Sequence, residues 1–133
     1  MESTVRFINP STMSTPPGYT HVVEVTGGRT IYIAGQVALD KSGTLVGPGD
    51  MHVQTRQVFE NLKVALAAVN ASFDNVVKLN IYTTDIKQLA ALREVRDNYV
   101  NTKNPPASTA VEVKALARDG FMIEIEAIAA IPE

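Results

Sequence analysis

The chain contains no cysteine and only two histidines, His21 and His52. Without cysteine there is neither a disulfide framework nor a thiolate nucleophile. The histidines stand alone, without the spacing of a metal-ligand set, so no metal site is expected. Met1 to Pro10 lacks a basic stretch followed by an apolar one, and no apolar run approaches the length that spans a bilayer. A cytosolic protein without a membrane partner is therefore expected. Twelve basic residues against fourteen acidic ones leave a formal charge of −2, and the basic residues are scattered. The electrostatic attraction that drives nonspecific nucleic-acid binding is missing, which argues against an RNA or DNA partner.

What is present suits a folded domain. The 133 residues are 45% apolar and 20% charged, enough to bury one core and too few for two ordinary domains. A single domain over residues 1–133 is expected. Val5 to Ile8 reads as a short strand, followed by a proline-bearing loop from Asn9 to Gly18. His21 to Thr26 and Thr30 to Val37 are β-branched runs joined through Gly27-Gly28, the sequence of a tight hairpin turn. Asp50 is placed to cap a helix over Met51 to about Val69. Its apolar stripe holds Met51, Val58, Phe59, Leu62, Ala65, Leu66 and Val69.

Val76 to Thr83 alternates as a strand, with Val77, Leu79 and Ile81 on one face. Asp85 with Gln88 resembles a capping box that opens a second helix to about Val100. Ser108 to Val113 and Phe121 to Ile131 are the last two strands. The order β-β-β-α-β-α-β-β describes an α+β fold. Right-handed crossovers place both helices on one face of a mixed sheet. On the final strand Phe121, Ile123, Ile125 and Ala127 point one way and Met122, Glu124, Glu126, Ile128 and Ala130 the other. Neither is plainly a water face, and self-association is the simplest way to cover the second.

Glu124 and Glu126 share a face, as a water-orienting carboxylate requires and as two solvated strand residues also would. Tyr19, after Pro16-Pro17-Gly18, suits either a pocket wall or a turn anchor. The second helix is less ordinary. The arc holding Ile86, Leu89, Leu92 and Val100 also contains Arg93 and Arg96. Either their stems pack on apolar surface while their heads reach water, or something polar faces that arc.

Three segments resemble the RidA (YjgF-type) family: Ile33-Ala34-Gly35-Gln36-Val37, Pro106-Ala107-Ser108-Thr109-Ala110-Val111-Glu112-Val113, and Ile123-Glu124-Ile125-Glu126-Ala127-Ile128-Ala129. The resemblance runs over nearly the whole chain. It implies a chorismate-mutase-like fold and a homotrimer whose sheets form a central barrel, with three clefts between subunits that take a small anionic metabolite. In members with deaminase activity an arginine pairs with the carboxylate of a 2-imino acid, and a strand glutamate sets water against the C=N carbon. A 2-oxo acid and ammonia result, without a cofactor. Carried over by motif, Glu124 is the water-orienting glutamate, Tyr19 the pocket tyrosine and Gly35 the backbone contact. Ser108 and Ala110 line the same pocket.

The position that the resemblance assigns to arginine is Ser108, which has no charge and cannot form a bidentate pair with a carboxylate. Hydrolysis of simple 2-imino acids is therefore expected to be weak or absent. Arg93 matches a helix position of the pocket, so the positive charge is expected to have moved there. The first expectation is a divergent hydrolase or lyase acting on an anionic imine, enamine or related metabolite. The alternative is a trimer that binds metabolites or proteins without turnover. A third reading, the endoribonuclease or translation inhibitor that some family members are labelled, lacks a basic face and interleaved aromatics.

Overall fold

A computed structural model describes residues 2–133. Six strands and two main helices follow the expected order: β1 (Thr4–Ile8), β2 (Val22–Thr26), β3 (Arg29–Gln36), α1 (Met51–Ala67), β4 (Val76–Thr83), α2 (Leu89–Arg96), β5 (Ala107–Glu112) and β6 (Ile123–Ile131). Short 3-10 turns precede β4 and α2. Among the described residues no helix is long and apolar enough to cross a membrane.

Four strands form one mixed sheet in the order β3-β6-β4-β5. β4 and β5 are parallel, joined by the α2 crossover, and β6 runs antiparallel to both β3 and β4. The last strand thus occupies an interior position between two others. This explains its length and its lack of a plain water face. Ile123, Ile125, Ala127 and Ala129 are buried toward the helices, and Glu124, Glu126 and Ile128 are half-buried on the opposite face.

The expected β2–β3 hairpin does not form. β2 pairs with β1 in a separate two-stranded sheet, from Thr4 opposite Thr26 to Ile8 opposite Val22. β3 pairs with β6 instead, starting at Arg29 opposite Ile131. Gly27 and Gly28 do take positive φ, 66° and 75°, so the chain turns sharply where expected. A turn signal fixes a change of direction but not a pairing partner. Here the long apolar β6 supplies a larger buried surface to β3 than the short, exposed β2 does.

α1 begins at the expected cap, with the Asp50 carboxylate accepting from the Val53 N–H at 3.1 Å. It ends two residues earlier than expected, near Asn70, whose φ of 59° is a left-handed conformation that ends helices. Its buried face holds Met51, Val58, Phe59, Leu62 and Leu66, together with Gln54 and Thr55, which the apolar stripe omitted. Gln54 is buried because its amide is satisfied. It donates to the carbonyls of Gly47 and Gly120 at 3.2 and 2.8 Å, and accepts from the Met122 N–H at 2.9 Å. It thereby ties the start of α1 to the entry of β6.

The second helix is shorter than expected. Asp85 caps the 3-10 turn Ile86–Gln88, and α2 proper covers only Leu89–Arg96. The Gln88 side chain donates to the Asp85 carboxylate at 3.0 Å rather than reaching the Asp85 backbone, whose N–H is taken by Thr83 Oγ1 at 3.2 Å. The reciprocal bond of a capping box is therefore absent. α1 and α2 pack together on one face of the four-stranded sheet.

Candidate functional site

Four of the six residues singled out in the sequence line one cavity of about 140 Å³: Tyr19, Arg93, Ser108 and Ala110. Alternation along β5 turns Ser108 and Ala110 toward the helix side, next to Leu79 and Ile81 of β4. From α2 come Leu89, Leu92, Arg93 and Arg96, a stripe at i, i+3, i+4 and i+7 that faces the cavity. The mixture of apolar and guanidinium side chains on that arc is resolved here: the leucines close the cavity wall and the arginines stand at the same wall. Tyr19 is brought in by its neighbour Thr20, which is buried. The Thr20 N–H donates to the Pro106 carbonyl at 3.2 Å and its hydroxyl to the Pro105 carbonyl.

The two arginines differ. Arg96 is 6% exposed and is held by Asp97, whose Oδ1 accepts from Nε at 3.0 Å and lies 3.0 Å from Nη2 in the ion pair. Its guanidinium also fills the space beside Gly18, where a side chain would collide with it. Arg93 is half-buried, and its guanidinium has no hydrogen bond or ion pair to the described residues. Both lie in the last turn of α2, where the helix dipole favours cations. A half-buried guanidinium with unspent donors is a ready partner for an anion.

Glu124 and Gly35 are elsewhere. Glu124 lies opposite Tyr82 in the β4–β6 ladder, on the sheet face away from the helices. From β5 to β6 is two strand spacings, roughly 10 Å, and the side chains point to opposite sides. One chain therefore does not bring Glu124 to Arg93. Gly35 sits in the irregular stretch of β3 between Ile33 and Gln36, directly against the Glu124 carboxylate. A Cβ at residue 35 would overlap that carboxylate and displace it, so glycine there leaves Glu124 its place and is not demanded by backbone conformation.

The two strand glutamates are not equivalent. Glu126 Oε1 accepts from Asn80 Nδ2 and from the Tyr82 hydroxyl, both at 3.0 Å. That hydrogen bond, with burial and the charges of Glu126 and Glu124, raises the Tyr82 pKa above its ordinary value. Among the described residues Glu124 accepts no hydrogen bond, and it opens on a hollow of about 340 Å³ shared with Tyr82, Val113, Leu116 and Glu126. The free carboxylate has the properties of a group that holds water or substrate, and Glu126 those of a structural acceptor.

Sequence reading missed Asn80 and Tyr82 as partners of Glu126 and missed Asp97 as the partner of Arg96. Alternation along β4 puts Asn80 and Tyr82 on one face. Their tie to Glu126 depends on the β4–β6 register, which no local signal encodes.

The family model described as Endoribonuclease L-PSP matches residues 11–131. A RutC family protein of Pyrococcus horikoshii is 42% identical over 106 residues, covering 79% of this chain and 82% of that protein. The mouse 2-iminobutanoate/2-iminopropanoate deaminase is 39% identical over 111 residues, 84% of this chain and 79% of the relative. The crystal structure of YyfB from Yersinia pestis, a protein of unknown function of the conserved Rid family, superposes with a TM-score of 0.84 at 39% identity. It covers 96% of this chain and 98% of that one. With the helices on one face of a mixed sheet, the fold is the chorismate-mutase-like one that the motifs implied. The chain belongs to the Endoribonuclease L-PSP family, also called the YjgF/RidA family.

Proposed function

We propose that the protein is a homotrimeric small-molecule hydrolase or lyase whose clefts lie between subunits, and that it acts on an anionic imine, enamine or related metabolite. The observation that carries this reading is the division of the candidate residues. Tyr19, Arg93, Ser108 and Ala110 line a cavity on the helix side, while Gly35 and Glu124 lie on the open sheet face. Each half has what the other lacks: one an unpaired cation, the other an unpaired carboxylate. A cyclic trimer brings a different patch of each subunit against the next, so one copy's cavity meets the neighbour's Glu124.

In such a cleft Arg93 pairs with the carboxylate of the ligand, with the Ser108 and Tyr19 hydroxyls as further polar contacts. Leu89, Leu92 and Ala110 take its apolar part. Glu124 of the next subunit orients water toward the C=N carbon, takes a proton from it and passes that proton to the nitrogen, and later carries the hydroxyl proton to the departing amine. The carbinolamine so formed then expels ammonia and leaves a carbonyl. An imine carbon is already electrophilic, so orientation and one base suffice and no cofactor is called for. The mouse relative, by its name, deaminates 2-iminobutanoate and 2-iminopropanoate, which supports this class of reaction.

Co-expression of Arg93→Ala with Glu124→Gln tests the shared cleft. Each variant alone is expected to lack turnover. In randomly mixed trimers about a quarter of the clefts pair an intact Arg93 with an intact Glu124, and ammonia release returns to that fraction. Mixed trimers as inactive as either parent contradict the shared cleft. One observation favours binding without turnover: Ser108 stands where deaminating members carry arginine. Tight binding of 2-oxo acids, with no ammonia released from any imine or enamine tried, selects that reading.

A further inference from the structure

The cavity on the helix side is lined by two guanidiniums and no carboxylate, yet it does not present two charges. Asp97, the C-cap of α2, stands four residues after Arg93, the spacing at which helix side chains meet, yet it does not pair there. It takes Arg96, whose Nε donates to Asp97 Oδ1 at 3.0 Å and whose Nη2 makes an ion pair with the same oxygen at 3.0 Å. The other acids near α2 are also committed. Glu94 faces His52 at 3.5 Å, Glu112 accepts from the Ile86 N–H at 3.1 Å, and Asp85 caps the preceding turn. The cavity therefore holds one compensated cation, Arg96, and one uncompensated cation, Arg93.

We propose that Asp97, which does not line the cavity, sets the charge of the ligand it accepts: by holding Arg96 it leaves Arg93 alone to answer one negative charge. The proposal rests on the anion-binding role of Arg93 given above. A monoanion satisfies Arg93 and lays its short chain on Leu89, Leu92, Ile81 and Ala110. A dianion of the same length brings a second carboxylate to a wall whose remaining cation already has its partner. Dehydrating that carboxylate is then uncompensated. Glu124 of the neighbouring subunit adds repulsion. Asp97 is a positioning residue in this scheme and acts only through Arg96. Its side chain is 50% exposed but Arg96 is buried, so removing the Asp97 charge costs some stability, and the affinity ratio is therefore read beside a melt of each variant.

Calorimetry with 2-oxopentanoate and 2-oxoglutarate, matched in chain length and differing by one carboxylate, reads the charge preference as a ratio of affinities. The wild-type protein is expected to favour 2-oxopentanoate by about tenfold or more. Asp97→Asn keeps an oxygen acceptor for Arg96 but frees its charge, and shifts the ratio toward 2-oxoglutarate by about tenfold. Asp97→Glu keeps the wild-type ratio. Should Asp97→Asn not fold, Arg96→Gln reads the same device from the other side. Asp97 is then free to compete for Arg93, so both acids bind more weakly, the diacid more so, and the preference for the monoacid widens. A purely structural Asp97 would change stability or both affinities together and leave the ratio alone, which overturns the proposal. So does a wild-type protein that binds 2-oxoglutarate as tightly as 2-oxopentanoate. Binding of neither acid removes the anion cleft itself, and the role of Asp97 with it. A normal ratio in Asp97→Asn, with Arg93→Ala still abolishing binding, removes the role of Asp97 alone.

Discussion

The helix side and the open face of the sheet solve opposite electrostatic problems with the same device. On the helix side Arg96 is closed off by Asp97 and Arg93 is left free. On the open face Glu126 is closed off by Asn80 and Tyr82, and Glu124 is left free. In each place two like charges stand close together, and among the described residues one has its partner and the other does not. Unspent charge in a partly desolvated position is costly to a folded chain, so two such groups of opposite sign are better explained by what they meet than by what they hold together.

The comparison breaks most sharply at Glu124. Glu124→Gln is expected to lower turnover about 100-fold or more while leaving ligand affinity within a factor of about two, the mark of a group that acts on water rather than on the ligand's charge. An equal loss in affinity would place Glu124 in binding instead. Next in size is the helix side: Arg93→Ala is expected to weaken 2-oxo acid binding by about 2 kcal/mol, roughly thirtyfold, with the oligomer intact. Unchanged affinity would mean that Arg93 only snorkels. Ser108→Arg sharpens the same contrast by restoring a cation to β5. The wild-type protein is expected to hydrolyse 2-iminopropionate weakly and the variant about tenfold faster, measured as ammonia released. A wild-type rate equal to that of an active relative would show that the missing arginine does not matter.

Much of this arrangement was legible in the sequence. Period-two alternation gave the strands, the i, i+3, i+4 stripe gave α1, and Asp50 gave its cap, because these signals are local. The arginines on the apolar arc of α2 were visible for the same reason. What the sequence did not carry was register and partnership. Gly27-Gly28 marked a turn but not that β3 leaves β2 for β6. The apolar stripe of α1 omitted Gln54, whose burial depends on carbonyls 7 and 66 residues away in sequence. That Glu124 and Arg93 lie on opposite faces follows from the parallel β4–β5 pairing and the insertion of β6, both long-range features.

The smallest expected effect lies on the helix side but away from the cavity. Tyr99 stacks on Phe59 with ring centroids 5.1 Å apart, and its hydroxyl donates to Glu60 at 2.7 Å. Burial first, then that bond and the Glu60 charge, push its pKa up to about 12. The folded chain therefore keeps a proton that the unfolded chain releases from about pH 10. Tyr99 contributes stability that is complete below pH 10 and is lost as the pH rises through about 12. Denaturant melts at rising pH are expected to show this decline in the wild type and less of it in Tyr99→Phe. A decline of the same size in both proteins would assign it to other groups.

The central claim is that one copy's cavity faces the next copy's free carboxylate, and the absence of native cysteine allows a background-free test of it. A chain carrying both Ala34→Cys, beside Gly35 and Glu124, and Ala110→Cys, in the cavity wall, is treated with a short bismaleimide at micromolar protein concentration. The two positions lie on different faces of one chain, so links are predicted to run between chains and to give covalent dimers and trimers on a denaturing gel, while each single-cysteine variant stays unlinked between chains. Monomeric chains alone, labelled at both cysteines but never joined, would contradict the shared cleft.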